Sequence, residues 1–212
     1  MSKAAFANPA ATWDERYARP DYIFGTQPNA YLQRHATAFA PGGRVLCVAD
    51  GEGRNSVWLA RQGHAVDAFD ISRVGLAKAR KLARSQGVRV QYRLGGCDDW
   101  TWPRERYDGI AAIFVQFADP AMRARLFANM AQALRVGGVL VLQGYTPRQL
   151  EYKTGGPPLV SHLYTPALLR AAFAGFELLE LEEYEADLSE GHHHCGRSAL
   201  IGLVARKLRP CS

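Results

Sequence analysis

The segment from Arg44 to Ser56, RVLCVADGEGRNS, restricts what this chain can fold into more than any other. Residues 45–49 are an uninterrupted apolar run, which predicts a short strand buried on both faces. The run stops at Asp50, after which Gly51 and Gly53 permit a sharp turn and a close approach of backbone to ligand. Residues 55–60 then open a helix, whose unpaired N–H groups and positive dipole end face the same crevice. Strand, glycine turn and helix together are how an open parallel sheet builds a nucleotide site. Two glycines alone say little, and the weight comes from the next strand. Residues 65–70, AVDAFD, form a second apolar strand that ends in a carboxylate. Asp70 comes after Gly53 at close to the ~20-residue spacing at which an acid meets ribose hydroxyls.

The glycine pattern is GxG and not the GxGxxG of a dinucleotide site, because Ser56 stands where the third glycine would be. That disfavours NAD and favours a smaller adenosyl ligand. On these residues the chain resembles the class I S-adenosylmethionine-dependent methyltransferases, whose first loop typically reads VLDLGCGxGRN. Cys47 replaces the family's strand acid and Ala49 its first glycine, while Asp50 and Glu52 supply carboxylates nearby. The resemblance implies S-adenosyl-L-methionine as methyl donor and S-adenosyl-L-homocysteine as product. It carries over Gly51, Gly53 and Asp70 directly, with Asp50, Glu52, Arg54, Asn55, Ile71 and Phe114 as neighbouring cofactor contacts.

At 212 residues the chain suits one α/β domain with a sizeable core. Expected strands at 45–49, 65–70, 88–93, 107–115, 139–143, 176–181 and 199–205 alternate with helices, which reads as a doubly wound fold. The resemblance, continued through LRVGG against the family's LKPGG, makes this a Rossmann-like seven-stranded sheet, mostly parallel with an antiparallel last strand. Residues 1–40 are expected to be an arm and lid on a core of 41–212, with residues 1–10 loose and Thr12 capping a short helix through Tyr17. Further helices are expected from Ala30 to about Phe39, from a Ser72 cap to about Gln86, from Asp119-Pro120 to near Leu134, and from Thr165-Pro166. Residues 135–138 read as a turn, and 144–158 as a long loop over the site.

No apolar run approaches the ~20 residues of a membrane span, and no signal-peptide core is present. Cys47, Cys97, Cys195 and Cys211 include no CxxC pair, and with Cys47 in a buried strand this points to a reduced, cytoplasmic protein. The charge of +6 comes from basic residues spread along the chain. Their densest cluster, Arg73, Lys78, Arg80, Lys81 and Arg84, shares a helix with a core face of Leu76, Ala79 and Ala83, which reads as a solvated outer face. No basic stretch is interleaved with stacking aromatics, so nucleic acid is disfavoured as a partner. The residues after the fourth strand, Val115-Gln116-Phe117-Ala118, also lack the Asn/Asp-Pro-Pro-aromatic motif of amino-group nucleic-acid methyltransferases. The oligomeric state is not set by the sequence.

The segment WDERYxxxxYxFGTxPNxYL, from Trp13 to Leu32, resembles the lid of small-molecule methyltransferases related to the tellurite-resistance and thiol methyltransferases. The resemblance implies Phe24, Gly25 and Thr26 at the cofactor, and Tyr17, Tyr22 and Phe24 at the acceptor; the alternative is a flap that only covers the sheet. An acid after strand three commonly faces the adenine amino group in the family, and Asp98 and Asp99 both qualify, an N-cap role being equally open. Gln116 and Phe117 are expected in the crevice, and Tyr145 and Tyr152 above it. Glu190 to Ser198, EGHHHCGRS, tempts with metal ligands, but consecutive residues rarely face one ion and no metal is expected. The family's EGxxHxGxA, which His194 and Gly196 match, instead suggests acceptor contacts at His194 and Arg197. The expected function is methyl transfer by in-line displacement to a small thiol or other soft chalcogen, with His194 and Gln116 orienting it. Alternatives are an oxygen, nitrogen or nucleic-acid acceptor, or an adenosyl-binding protein without turnover.

Overall fold

Two opposed apolar faces explain the central sheet of this computed structural model, which describes residues 8–191 and 194–209. In β1 (Arg44–Val48), Leu46 and Val48 enter one core while Val45 and Cys47 enter the other, all of them buried. Each such side chain contributes roughly 1.5–3 kcal/mol. β2 (Ala65–Asp70), β4 (Tyr107–Ile113) and β5 (Leu134–Tyr145) repeat the pattern. With β3 (Val90–Leu94), β6 (Phe176–Glu190) and β7 (His194–Lys207), the strand order is β3-β2-β1-β4-β5-β7-β6. The first five strands pair in parallel, and β7 runs antiparallel to both β5 and β6. This is the Rossmann-like, doubly wound, seven-stranded sheet expected. Strand order reverses between β1 and β4, so a crevice opens at their C-terminal ends.

Helices close both faces. α2 (Ala30–His35) and α3 (Arg54–Arg61) cover one through Leu32 and Leu59; α5 (Pro120–Ala133) and α7 (Pro166–Ala172) cover the other through Phe127 and Leu169. Ser72, Asp119 and Thr165 cap α4 (Arg73–Ser85), α5 and α7 as expected, each accepting a backbone N–H of the first turn. Among the described residues no helix is long and apolar enough to cross a membrane.

Several boundaries move. α1 (Pro9–Tyr17) is capped by Asn8 and not by Thr12, because Pro9 presets the first turn and Asn8 accepts from Ala11 N; residues 9 and 10 are therefore helix and not loose arm. β4 ends at Ile113, since Phe114 adopts a left-handed φ of 56°. The turn expected at 135–138 lies inside β5, as a register irregularity opposite Tyr107–Gly109. The loop after β5 contains α6 (Gln149–Tyr152). β6 and β7 extend beyond the expected strands and pair from Phe176↔Lys207 to Glu190↔His194. Their charged residues do not interrupt the ladder because they project from an edge strand and pair across it, as Arg197 does with Glu185. Most of the segment 190–198 is thus strand. His192, His193, Cys211 and residues 1–7 lie outside the described residues.

Candidate active site

At the C-terminal ends of β1, β2, β3 and β4 lies a cavity of about 670 Å³, within the ~300–1,000 Å³ typical of small-molecule sites. Its floor is the turn after β1. Ala49, Gly51 and Gly53 take φ values of 49°, 60° and 90°, so the chain bends here three times through left-handed backbone. Ala49 bears the steric cost of a position that suits glycine. A Cβ on Gly51 would lie 2.5 Å from the Tyr17 hydroxyl, and one on Gly53 would lie 2.7 Å from Ala79. Gly51 thus admits α1 over the turn, and Gly53 seats the turn on α4.

Asp50 within this turn and Asp70 at the end of β2 brace it. Asp50 accepts from the Ser56 N–H and hydroxyl, which caps α3 from inside the loop, because the N-cap residue Gly53 has no side chain to do so. Burial pushes its carboxyl up to about 7 against the pull of Ser56, with Asp70 adding to the rise. Asp70 accepts from Gly51 N and Ser72 N, both at 2.8 Å. Burial raises it to about 6, opposed by those two N–H groups. A carboxylate has about four lone-pair directions, which these backbone N–H groups do not exhaust. Cys47 belongs to the core under α3, where burial pushes its thiol well up.

The lid is held by buried polar contacts. Asp14 of α1 accepts from Ser72 Oγ at 2.5 Å and from Val74 N at 3.1 Å, which docks α1 on the start of α4. Glu52 accepts from Ile23 N at 2.8 Å and pairs with Lys78, whose ammonium also reaches the carbonyls of Tyr17, Arg19 and Asp21. Asn29 is fully buried; its amide donates to Gln143 and Glu190, and its N–H donates to Asn55 Oδ1. Above the turn, Trp13 stacks on Tyr17 at 5.3 Å. His194 sits among Phe24, Phe114 and Tyr145, at ring distances of 4.6, 4.3 and 5.9 Å.

Of the expected cofactor contacts, Phe24, Asp50, Gly51, Arg54, Asn55, Asp70, Ile71, Asp98, Asp99 and Phe114 line the cavity. Gly25 lies against Gly191, Thr26 lines a separate pocket of about 70 Å³ beside Trp58, and Glu52 and Gly53 serve the lid and α4. Asp98 is held by Arg125 through two bonds of 2.8–2.9 Å, which keeps it below the usual carboxylate range. Of the expected acceptor contacts, Tyr17, Phe24 and His194 line the cavity, and Tyr145 stands behind His194 and Phe114.

The remainder are elsewhere. Gln116 turns away from the cavity: its amide donates to the Tyr145 and His162 carbonyls and accepts from Tyr145 N, so it ties β5 to the following loop. Tyr22 packs on Lys78 and donates to its carbonyl, on the outer side of α4. Tyr152 lies under Arg148, and Arg197 pairs with Glu185 and Asp187 on the exposed hairpin. Phe117, expected in the crevice beside Gln116, does line the cavity; sequence reasoning missed Trp13, Cys97, Met122, Leu159 and His162, which line it too. Trp13 had a signal, its i, i+4 spacing to Tyr17; Met122 is carried in by the first turn of α5, and Cys97, Leu159 and His162 by the connections between the larger elements. Among the described residues no cluster of His, Cys, Asp and Glu suits a metal ion.

A cavity at the switch point of a 3-2-1-4-5-7-6 sheet defines a Rossmann-like fold with room for a small ligand. The methyltransferase domain family matches residues 45–138. A thiopurine S-methyltransferase of Azotobacter vinelandii is 32% identical over 69% of this chain and 74% of its own length. Another, from Pseudomonas putida strain W619, is 29% identical over 82% and 86%. A solved S-adenosylmethionine-dependent methyltransferase of Methanosarcina mazei superposes with a TM-score of 0.69 at 18% identity, over 86% of this chain and 99% of that one. The chain belongs to the class I S-adenosylmethionine-dependent methyltransferases, and S-adenosylmethionine is its methyl donor. The site's chemistry fits that donor: Asp70 keeps lone pairs for a diol, Gly51 leaves no room for a side chain, and the raised Asp50 and Asp70 favour a cationic guest.

Proposed function

We propose that the chain methylates the sulfur, or another soft chalcogen, of a small and largely apolar acceptor. The observation that carries the reading is the aromatic wall of Trp13, Tyr17, Phe24, Phe114 and His194 above the glycine turn. Such a wall excludes water and suits a polarizable guest. The relatives named thiopurine S-methyltransferase support a sulfur acceptor. In this reading Asp70 holds the ribose hydroxyls, Ile71 and Phe114 flank the adenine, and Asp99 accepts from its amino group because Asp98 is committed to Arg125.

Bound S-adenosylmethionine supplies a sulfonium methyl that is already activated toward a nucleophile. The chain's residues hold the acceptor in line and exclude water, and such orientation supplies ~7–11 kcal/mol. A thiol near pKa ~8.5 is a few per cent ionised at neutral pH and needs little base assistance. The buried, unpaired thiols of Cys47 and Cys97 suit a reducing cytoplasm. Incubation with methyl-labelled donor and matched thiols, phenols and amines tests the proposal. Label is expected in a thioether, with His194→Ala slowing transfer less than about tenfold. Label in an ether or amine, or a His194→Ala loss of ~10²–10⁴-fold with binding intact, overturns it in favour of base-catalysed transfer to oxygen or nitrogen.

A further inference from the structure

Glu190, the last residue of β6, ends in a buried junction of four elements. Its Oε2 accepts from Arg54 Nη2 of α3 at 2.7 Å and lies 3.6 Å from His194 Nδ1 of β7. Its Oε1 accepts from Asn29 Nδ2 at 2.8 Å and from Ala30 N at 3.4 Å, at the end of the lid. The side chains of Arg54, Glu190 and His194 are exposed by only 8–10%. Burial works against this carboxylate, yet His194 and Arg54 outweigh it and hold it at about 2, so it is charged at every working pH. Among the described residues, the charged and titratable groups beside His194 include Glu190 from β6, Arg54 from α3 behind Glu190, and Tyr145 from β5, with Phe24 and Phe114 packed on its ring.

We propose that Glu190 is a positioning residue: it fixes Nδ1 of His194 toward the protein, leaves Nε2 to the cavity, and holds a proton on the ring so that the acceptor binds as an anion. This rests on the sulfur-acceptor reading only for the identity of that anion, a thiolate. The proton balance is closed. An acceptor thiol gives its proton to neutral His194, leaving imidazolium beside thiolate, and after transfer that proton passes to water. A fixed carboxylate 3.6 Å away stabilises the imidazolium, while Arg54 on the same oxygen keeps the carboxylate from taking the proton itself. Asn29 and Ala30 hold the opposite oxygen, so the carboxylate cannot rotate away from His194 without breaking the lid contact.

The test is histidine-selective NMR titration of the full chain, with the His194 resonance assigned by its loss in His194→Gln. Glu190→Gln should lower the His194 midpoint by about one pH unit or more. It should also raise the acceptor KM about two- to threefold near neutral pH, no more than loss of His194 itself costs, while kcat changes less. Glu190→Asp keeps the charge but shortens the reach, and should give a midpoint between the two. It carries the test alone if Glu190→Gln does not fold. An unchanged His194 midpoint in the folded variant overturns the proposal. A lowered midpoint in an enzyme that labels oxygen or nitrogen leaves the positioning role in place and removes only the thiolate.

Discussion

In the proposed reading Asp70 does two jobs with one carboxylate, bracing the turn and holding the ribose. It accepts from Gly51 N and Ser72 N, so it shapes the turn, and its remaining lone pairs face the cavity. Asp70→Ala should therefore weaken S-adenosylmethionine binding by roughly 1.5–3 kcal/mol and lower thermal stability as well, since two buried N–H groups lose their acceptor. Calorimetry showing undiminished affinity in the variant would remove Asp70 from the ligand. This residue was legible in the sequence because a carboxylate ending an apolar strand is a local pattern. Gln116 was not, because no spacing reveals that its amide is spent on Tyr145 and His162. Tyr152 and Arg197 were misread for a related reason: their positions depend on how far β6 and β7 extend, which charge patterning on an edge strand conceals. Asp50 had no assigned role from sequence beyond proximity, and its capping of α3 follows from Gly53 being unable to cap.

The lid and the β6–β7 hairpin form one device although they are distant in sequence. Gly191, with φ 68°, sits against the lid backbone; a Cβ there would collide with Ile23 O and lie 2.7 Å from Phe24 Cα and 2.8 Å from Gly25 N. Backbone cannot yield as a flexible side chain does, and the left-handed φ adds strain to any substitution. Gly191→Ala should push the lid off the hairpin at a cost of about 1–3 kcal/mol. Hydrogen exchange should then quicken across residues 22–29 while the sheet stays protected. Unchanged exchange there would mean that Glu52, Lys78 and Asn29 hold the lid without the hairpin. At this scale the sequence was a good guide wherever periodicity was local: β1, β2, α4 and α5 lie within a residue or two of expectation. The hairpin's reach and the start of α1 depended instead on pairing across the chain and on a cap one residue before a proline.

Across the whole molecule, the sheet's switch point concentrates carboxylates whose charge is costly until a ligand arrives. Asp50 at about 7 and Asp70 at about 6 retain protons that an unfolded chain, with aspartate near 3.8, has released. The folded state therefore binds more protons between about pH 4 and 7, and these two groups remove stability as pH rises through that window. Asp14, lowered by the Ser72 hydroxyl, and Asp98, lowered by Arg125, act oppositely; their stabilisation is present above about 3.8 and is lost on acidification. His35, lowered by burial, also withdraws stability as pH falls below about 6.5. Because other groups titrate in the same range, the test has to isolate one carboxylate. Asp50→Asn preserves shape and an oxygen that can accept from Ser56, but carries no charge. Its ligand-free melting temperature should fall less between pH 5 and 7.5 than that of the wild type. A cationic donor favours the charged carboxylates, so its binding should release protons, and wild-type affinity should rise with pH by up to about tenfold per unit for each proton released. Calorimetry of S-adenosylmethionine from pH 5.5 to 7.5, in two buffers of different ionisation enthalpy, counts those protons directly. Proton release that is smaller in Asp50→Asn than in the wild type is the expected result. Equal release in both proteins would mean that Asp50 is already charged in the ligand-free fold and that Asp70 alone responds to the donor.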